Sequence, residues 1–233
     1  MPAKLRQQWV KLLRWGFHLL YHQLAWTYDG VSWLVSFGAW RDWQHAALPY
    51  VRGPHVLEIA HGPGHMLITL HEDGHQVVGI DLSPQMGALS HKRLNGAGIQ
   101  VPLLQGMAQN LPLQSQFFDS VLVTFPTEFL IDGQTLEAVH RVLKGSGRFI
   151  IVPEAQFTGH SLPERFIEWL YLITGQRHQR YTDQEPPSQT PDHTRWQPLI
   201  MQFLEAGFQL NIHTIPLKRS QVTVLLAQKE PFP

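Results

Sequence analysis

No cysteine occurs in the 233 residues. Disulfides, thiolate metal sites and a cysteine nucleophile are therefore excluded. Charge is also scarce: charged residues make up 15% of the chain, and 18 basic side chains balance 18 acidic ones. Without a basic excess there is no electrostatic footprint for nucleic acid, and no nucleic-acid partner is expected. No apolar run approaches the ~20 residues that span a bilayer. The opening stretch MPAKLRQQWVKLLRWGFHLL is basic and apolar, but it lacks the uninterrupted apolar core and small-residue cleavage site of a signal peptide. A cytoplasmic chain is expected.

Hydrophobic residues account for 43%, a globular composition with length enough for one full core. Three textures follow one another. Residues 1–50 are rich in aromatics and hold Trp9, Trp15, Trp26, Trp33, Trp40 and Trp43; Val10, Leu13, Phe17 and Leu20 recur there at helical spacing. This segment reads as an N-terminal helical cap on the substrate or membrane side. Residues 51–233 read as one core, with a helical and loop insertion at about 154–194.

Within the core, strand-like and helix-like stretches alternate. Strands are expected at 55–60, 76–81, near 100–105, at 118–124 and at 148–153. Helices are expected at 65–72, from Pro84 to about Gly96 behind a Ser83 cap, and at 134–143, before a turn at Lys144-Gly145-Ser146-Gly147. SLPERFIEWLYLITG (161–175) reads as an apolar helix, followed by a polar, proline-rich loop. A helix near 195–206 and two strands, 208–215 and 221–229, close the chain as a hairpin. The alternation implies α/β architecture with a mostly parallel sheet and right-handed crossovers.

The stretch VLEIAHGPGHM (56–66) carries a carboxylate, Glu58, inside an apolar strand, then breaks into a small-residue turn. In open parallel sheets, ligands bind at the carboxyl ends of strands. Glycine there lets backbone N–H groups approach a ligand. A dinucleotide fingerprint would need a third glycine where Leu67 stands, and a Walker-type loop would need a Gly-Lys-Ser/Thr run. Glu58 would also repel a pyrophosphate and suits a cationic ligand instead. His61 and His65 could share a helix face, but no third ligand is evident and no metal is expected. Purely structural roles stay open: Glu58 paired with an arginine, Asp81 capping the next helix, Gly62 and Gly64 only turning the chain.

Glu58-x-Ala60-x-Gly62-x-Gly64 resembles the first motif of class I S-adenosylmethionine-dependent methyltransferases, with Ala60 where that family commonly has glycine. VVGIDLSPQM resembles its second motif, GMAQNLPL (106–113) its third, FFDSVLVT its fourth, VLKGSGRFIIV its fifth, and FLEAGFQLN with VTVLLAQK its last helix and terminal hairpin. The resemblance covers roughly 55–155 and 195–229. It implies a Rossmann-like doubly wound seven-stranded sheet, mostly parallel with an antiparallel C-terminal hairpin strand, plus N-terminal helices. It implies S-adenosyl-L-methionine as cofactor and S-adenosyl-L-homocysteine as product.

The cofactor-binding residues implied are Glu58, toward the ammonium group, and Ala60, His61, Gly62 and Gly64 in the turn. Asp81 would accept from the ribose hydroxyls, and Leu82 and Met86 would flank the adenine. Met107, Ala108 and Gln109 belong to the third motif, where Met107 replaces the usual acid and leaves the adenine amino group to backbone or Gln109. Thr124 would lie at the end of the fourth strand. Methyl transfer from a sulfonium is an in-line displacement in which the protein supplies alignment and electrostatics. Glu128 is the candidate base or amine-holding residue; Tyr21 and Tyr28 resemble tyrosines that close over the cofactor. The expected acceptor is hydrophobic or amphiphilic, a phospholipid amine headgroup or a quinone-like ring, with peripheral membrane contact through residues 1–20. A soluble small metabolite is the alternative; a non-catalytic cofactor-binding scaffold or sensor is the alternative of another class. Oligomeric state is not read from the sequence.

Overall fold

A computed structural model describes residues 28–126, 128–158 and 193–229. The expected helix at 161–175, the proline-rich loop, Tyr21 and residues 1–20 lie outside the described residues. Two short helices, α1 (Tyr28–Ser36) and α2 (Trp40–His45), precede the sheet. The core then runs β1 (His55–Ile59), α3 (His65–Glu72), β2 (Gln76–Asp81), α4 (Pro84–Gly96), β3 (Leu103–Gln105) and β4 (Phe118–Thr124). It continues through α5 (Gly133–Val142), β5 (Leu143–Phe157), α6 (His193–Glu205), β6 (Phe208–Pro216) and β7 (Ser220–Lys229).

The seven strands take the order β3-β2-β1-β4-β5-β7-β6. β1 pairs in parallel with both β2 and β4, whereas β7 runs antiparallel to both β5 and β6. The strand order reverses between β1 and β4, so the crevice at their carboxyl ends is the expected ligand position. Four of the five β1 residues are buried, as a strand covered on both faces requires. One face of the sheet packs on α5 and α6 through Leu136, Val139, Val142, Leu199 and Phe203. The other packs on α2, α3 and α4 through Trp43, Met66, Leu67, Leu70 and Leu94.

Local chemistry accounts for the helix starts. Ser83 holds extended dihedrals and its hydroxyl accepts from the Met86 amide at 3.2 Å, with Pro84 at the first helical position. Asp132 accepts from the Gln134 amide in the same way before α5. Two boundaries differ from the sequence reading. β3 begins only at Leu103, since Val101 packs into the core and Pro102 cannot donate to the ladder. β5 begins at Leu143 directly after α5, pairs Phe118 with Leu143 and then Ser120 with Arg148, and so absorbs the expected turn 144–147 as a bulge. It also runs past 153 to Phe157, because β7 continues to pair with it through Ser220.

Candidate active site

The turn after β1 is built from left-handed backbone. Ala60 (φ 54°), Gly62 (φ 54°) and Gly64 (φ 81°) all lie in the region that side chains disfavour. A Cβ at Gly64 would stand 2.2 Å from Ser90 Oγ of α4, so glycine is required there for helix and turn to meet. At Gly62 a Cβ would meet nothing within 4 Å, and the space beside that residue is open. Ala60 carries its methyl group at a conformational cost, on the order of 1 kcal/mol.

Two carboxylates face this turn. Glu58 is buried, 1% exposed, and its Oε2 has no hydrogen-bond partner among the described residues. Burial, reinforced by the negative charge of Asp81, pushes its carboxyl well above the usual carboxylate range. No arginine among the described residues pairs with it. Asp81 ends β2 and is anchored by backbone: Oδ2 accepts from the Gly62 amide at 2.8 Å and Oδ1 from the Ser83 amide at 2.8 Å. Each oxygen keeps a lone pair for a further donor. The helix-capping reading of Asp81 thus gives way to a clamp between β2 and the turn, while Ser83 does the capping.

His61 is buried within the turn. Its Nδ1–H donates to the Gly62 carbonyl at 2.8 Å, which leaves Nε2 as an acceptor without a partner among the described residues. Gly79 makes room for the ring, since a Cβ there would lie 2.9 Å from His61 Cδ2. Burial lowers the His61 pKa, against the opposing pull of Asp81.

Leu82, 62% exposed, and Met107, 52% exposed, are two large apolar side chains left open beyond Asp81. They suit the faces of an adenine. Met86 differs from its expected role: its side chain is fully buried, because α4 turns it into the protein interior. Ala108 is buried, and Gln109 donates to Asp132 Oδ2 at 3.1 Å, so its amide is engaged with the α5 cap rather than free.

The N-terminal helices reach the crevice from above. Gln44 of α2 donates to Thr124 Oγ1 at 3.0 Å, at the end of β4. Trp40 stacks on Phe125, the next residue, with centroids 4.3 Å apart, and Tyr28 meets the edge of Trp40 at 6.3 Å. Phe125 is itself left-handed (φ 50°), so both strand ends flanking the switch point, at Ala60 and Phe125, hold strained backbone. Buried Trp43 donates from its indole to Ser220 Oγ at 2.8 Å and fastens α2 to β7. Glu128 begins a short 3-10 helix, Glu128–Ile131, after β4; the role expected of its side chain lies outside what is described.

A cluster that sequence reasoning missed sits beside the turn. Arg93 of α4 bridges the Pro63 carbonyl and Asp29 Oδ2. Asp29 Oδ1 accepts from His65 Nε2–H at 2.9 Å, and His65 Nδ1 accepts from Arg41 at 3.2 Å. These residues are scattered over 64 positions and share no motif, so no sequence signal marks them. Among the described residues, no group of acids and histidines is arranged to hold a metal.

A left-handed turn, a buried carboxylate and a clamped strand-end aspartate thus meet at the switch point of a 3-2-1-4-5-7-6 sheet. The sheet and its turn are similar to those of class I S-adenosylmethionine-dependent methyltransferases. Residues 56–147 match the family model described as a methyltransferase domain. The demethylmenaquinone methyltransferase of Thermus thermophilus is 31% identical over 139 residues, covering 57% of this chain and 63% of that protein. Such matches span about three fifths of the curated relatives' length. A putative S-adenosyl-L-methionine-dependent methyltransferase from Methanococcus maripaludis shares the fold with a TM-score of 0.62 at 14% identity, over 91% of this chain and 95% of that one. The phosphoethanolamine N-methyltransferase 2 of Haemonchus contortus, solved with S-adenosyl-L-methionine, gives a TM-score of 0.58 at 16% identity, over 83% of this chain and 53% of that one.

Proposed function

We propose that the chain transfers a methyl group from S-adenosyl-L-methionine to a hydrophobic or amphiphilic small molecule, either a quinone-like ring or a phospholipid amine headgroup. The observation that carries this reading is the buried, unpartnered Glu58 oxygen beside the clamped Asp81 carboxylate. The Asp81 carboxylate beside the glycine turn repels a pyrophosphate and attracts a cation, and the buried Glu58 carboxyl, whose ionisation burial disfavours in the empty site, would be favoured to ionise against a bound ammonium. The cofactor supplies the reactive methyl carbon and the thioether leaving group. Glu58 would receive its ammonium group and Asp81 its ribose hydroxyls; Leu82 and Met107 would enclose the adenine. Gly62 and Gly64 would allow backbone approach, and Thr124 and Phe125 would border the methyl group, with Tyr28 closing from α1. Alignment of donor and acceptor in a dry crevice is then the protein's main contribution to rate.

The acceptor class is supported by the quinone-directed relative and by the apolar side chains of the cap. Trp33, Leu34 and Phe37 are exposed on and just after α1. In this reading residues 1–50 form a cap on the acceptor side, with peripheral membrane contact through residues 1–20 from the cytoplasmic face. No helix among the described residues is long and apolar enough to cross a membrane.

Titration calorimetry with S-adenosyl-L-methionine and S-adenosyl-L-homocysteine is the direct test. Saturable heat is expected from wild type, weakened at least tenfold by Glu58→Gln or Asp81→Asn. No heat from wild type would overturn the reading. Co-flotation with anionic vesicles tests the membrane contact: the full chain should float, and a chain lacking residues 1–20 should not.

A further inference from the structure

A cavity of about 260 Å³ opens between α1, α2 and the first residue of α3. It is lined by Asp29, Trp33, Trp40, Arg41 and His65 among others. It adjoins the crevice, because Trp40 stacks on Phe125 directly beyond β4. The other face of the turn borders it through His65, which follows Gly64.

Among the described residues, the charges in this cavity are not balanced. The Asp29 carboxylate is engaged on both oxygens, by Arg93 and by His65. Arg41 has no carboxylate partner among the described residues; its one contact is His65 Nδ1 at 3.2 Å. The imidazole is a neutral acceptor toward Arg41, since its other nitrogen donates to Asp29. Asp29 thus orients His65, and His65 aims the guanidinium. A guanidinium beside indole faces recognises a flat, delocalised anion and disfavours an ammonium. The wall provided by Trp33 is 63% exposed, so the cavity stays open to solvent on that side and an apolar substituent could pass out over Leu34 and Phe37.

We infer that this cavity is the acceptor site and that it selects a planar aromatic ring bearing an acidic oxygen, held by Arg41 and stacked on indole, over an amine headgroup. The inference rests on the methyltransferase reading above and narrows its acceptor.

Calorimetry on the full chain saturated with S-adenosyl-L-homocysteine tests it with three probes: 1-hydroxy-2-naphthoate, 2-methoxynaphthalene and 2-naphthylmethylammonium. The anion should bind at least tenfold more tightly than either other probe. Arg41→Gln should weaken the anion at least tenfold, Arg41→Lys less, and Trp33→Ala should weaken the anion and the neutral ring together. S-adenosyl-L-homocysteine affinity should stay unchanged in Arg41→Gln. Equal or tighter binding of the ammonium overturns the inference, as does loss of S-adenosyl-L-homocysteine affinity in Arg41→Gln, which would place Arg41 on the cofactor. If wild type gives no heat with S-adenosyl-L-homocysteine, the methyltransferase reading fails; the naphthoate titration still reports on the cavity by itself.

Discussion

Asp81 Oδ2 accepts a hydrogen bond from the Gly62 amide at 2.8 Å, tying the end of β2 to the turn after β1. The same carboxylate also accepts from Ser83. One side chain therefore sets the position of the turn and still presents negative charge to it. Asp81→Asn tests both roles. An amide has one acceptor oxygen, so one of the two backbone donors would face an NH2 group. Losing a charge-assisted bond of this kind costs about 1.5–3 kcal/mol, which urea unfolding should register. The loss of affinity for S-adenosyl-L-methionine should come with it.

Glu58 stabilises the empty protein only while protonated. Its folded pKa is raised, by burial first and by Asp81 second, so its contribution is fully present below its ordinary value of 4.5 and is lost as pH rises through the folded value. Glu58→Gln should therefore be more stable than wild type at pH 8 and indistinguishable from it near pH 4. It should nevertheless bind the sulfonium cofactor at least tenfold more weakly, about 1.4 kcal/mol. Thermal unfolding across pH, with and without cofactor, separates the two effects.

His61 and His65 act on the opposite side. Burial lowers both pKa values; Asp81 and the Gly62 carbonyl oppose this at His61, with His91 adding to it, and Asp29 opposes it at His65, with Arg93 and Arg41 adding to it. The folded state then binds fewer protons than the unfolded chain below the ordinary value of 6.5, and stability falls as pH drops through it. His140, whose pKa burial and then Lys229 also lower, shares this acid-side slope. In the Glu58→Gln background, replacing His61 and His65 by Asn should reduce the slope and leave the His140 part; an unchanged slope between pH 7 and 5.5 would refute the assignment.

Ala60 and Gly64 should respond to reciprocal substitutions with opposite sign. Ala60→Gly relieves left-handed strain of about 1–2 kcal/mol against a glycine entropy cost of about 0.5–1 kcal/mol. A net gain near 0.5–1 kcal/mol would raise the melting temperature by about 2–4 °C per kcal/mol for a chain of this size. Gly64→Ala should destabilise, because its methyl group would meet Ser90 Oγ at 2.2 Å. Adding Ser90→Ala should restore part of the loss and leave the part due to φ.

Much of this was legible in the residues themselves. Short apolar runs broken by Gly, Pro and Ser marked β1, β2, β4 and β7, since near-continuous burial is what a strand covered on both faces demands. The resemblance of Glu58-x-Ala60-x-Gly62-x-Gly64 and of the strand-end Asp81 to methyltransferase motifs marked the turn and its two acids. Packing decided the remainder. Met86 faces the interior because of how α4 sits on the sheet, and Gln109 is engaged because Asp132 caps α5 nearby. The Asp29–His65–Arg41 chain exists only because α1 and α2 lie across the turn; its members come from three helices, and no periodicity links residues whose proximity is created by the fold. Local sequence determined the elements and the glycine turn. Tertiary structure alone decided which side chains are spent on one another and which are left over for a ligand.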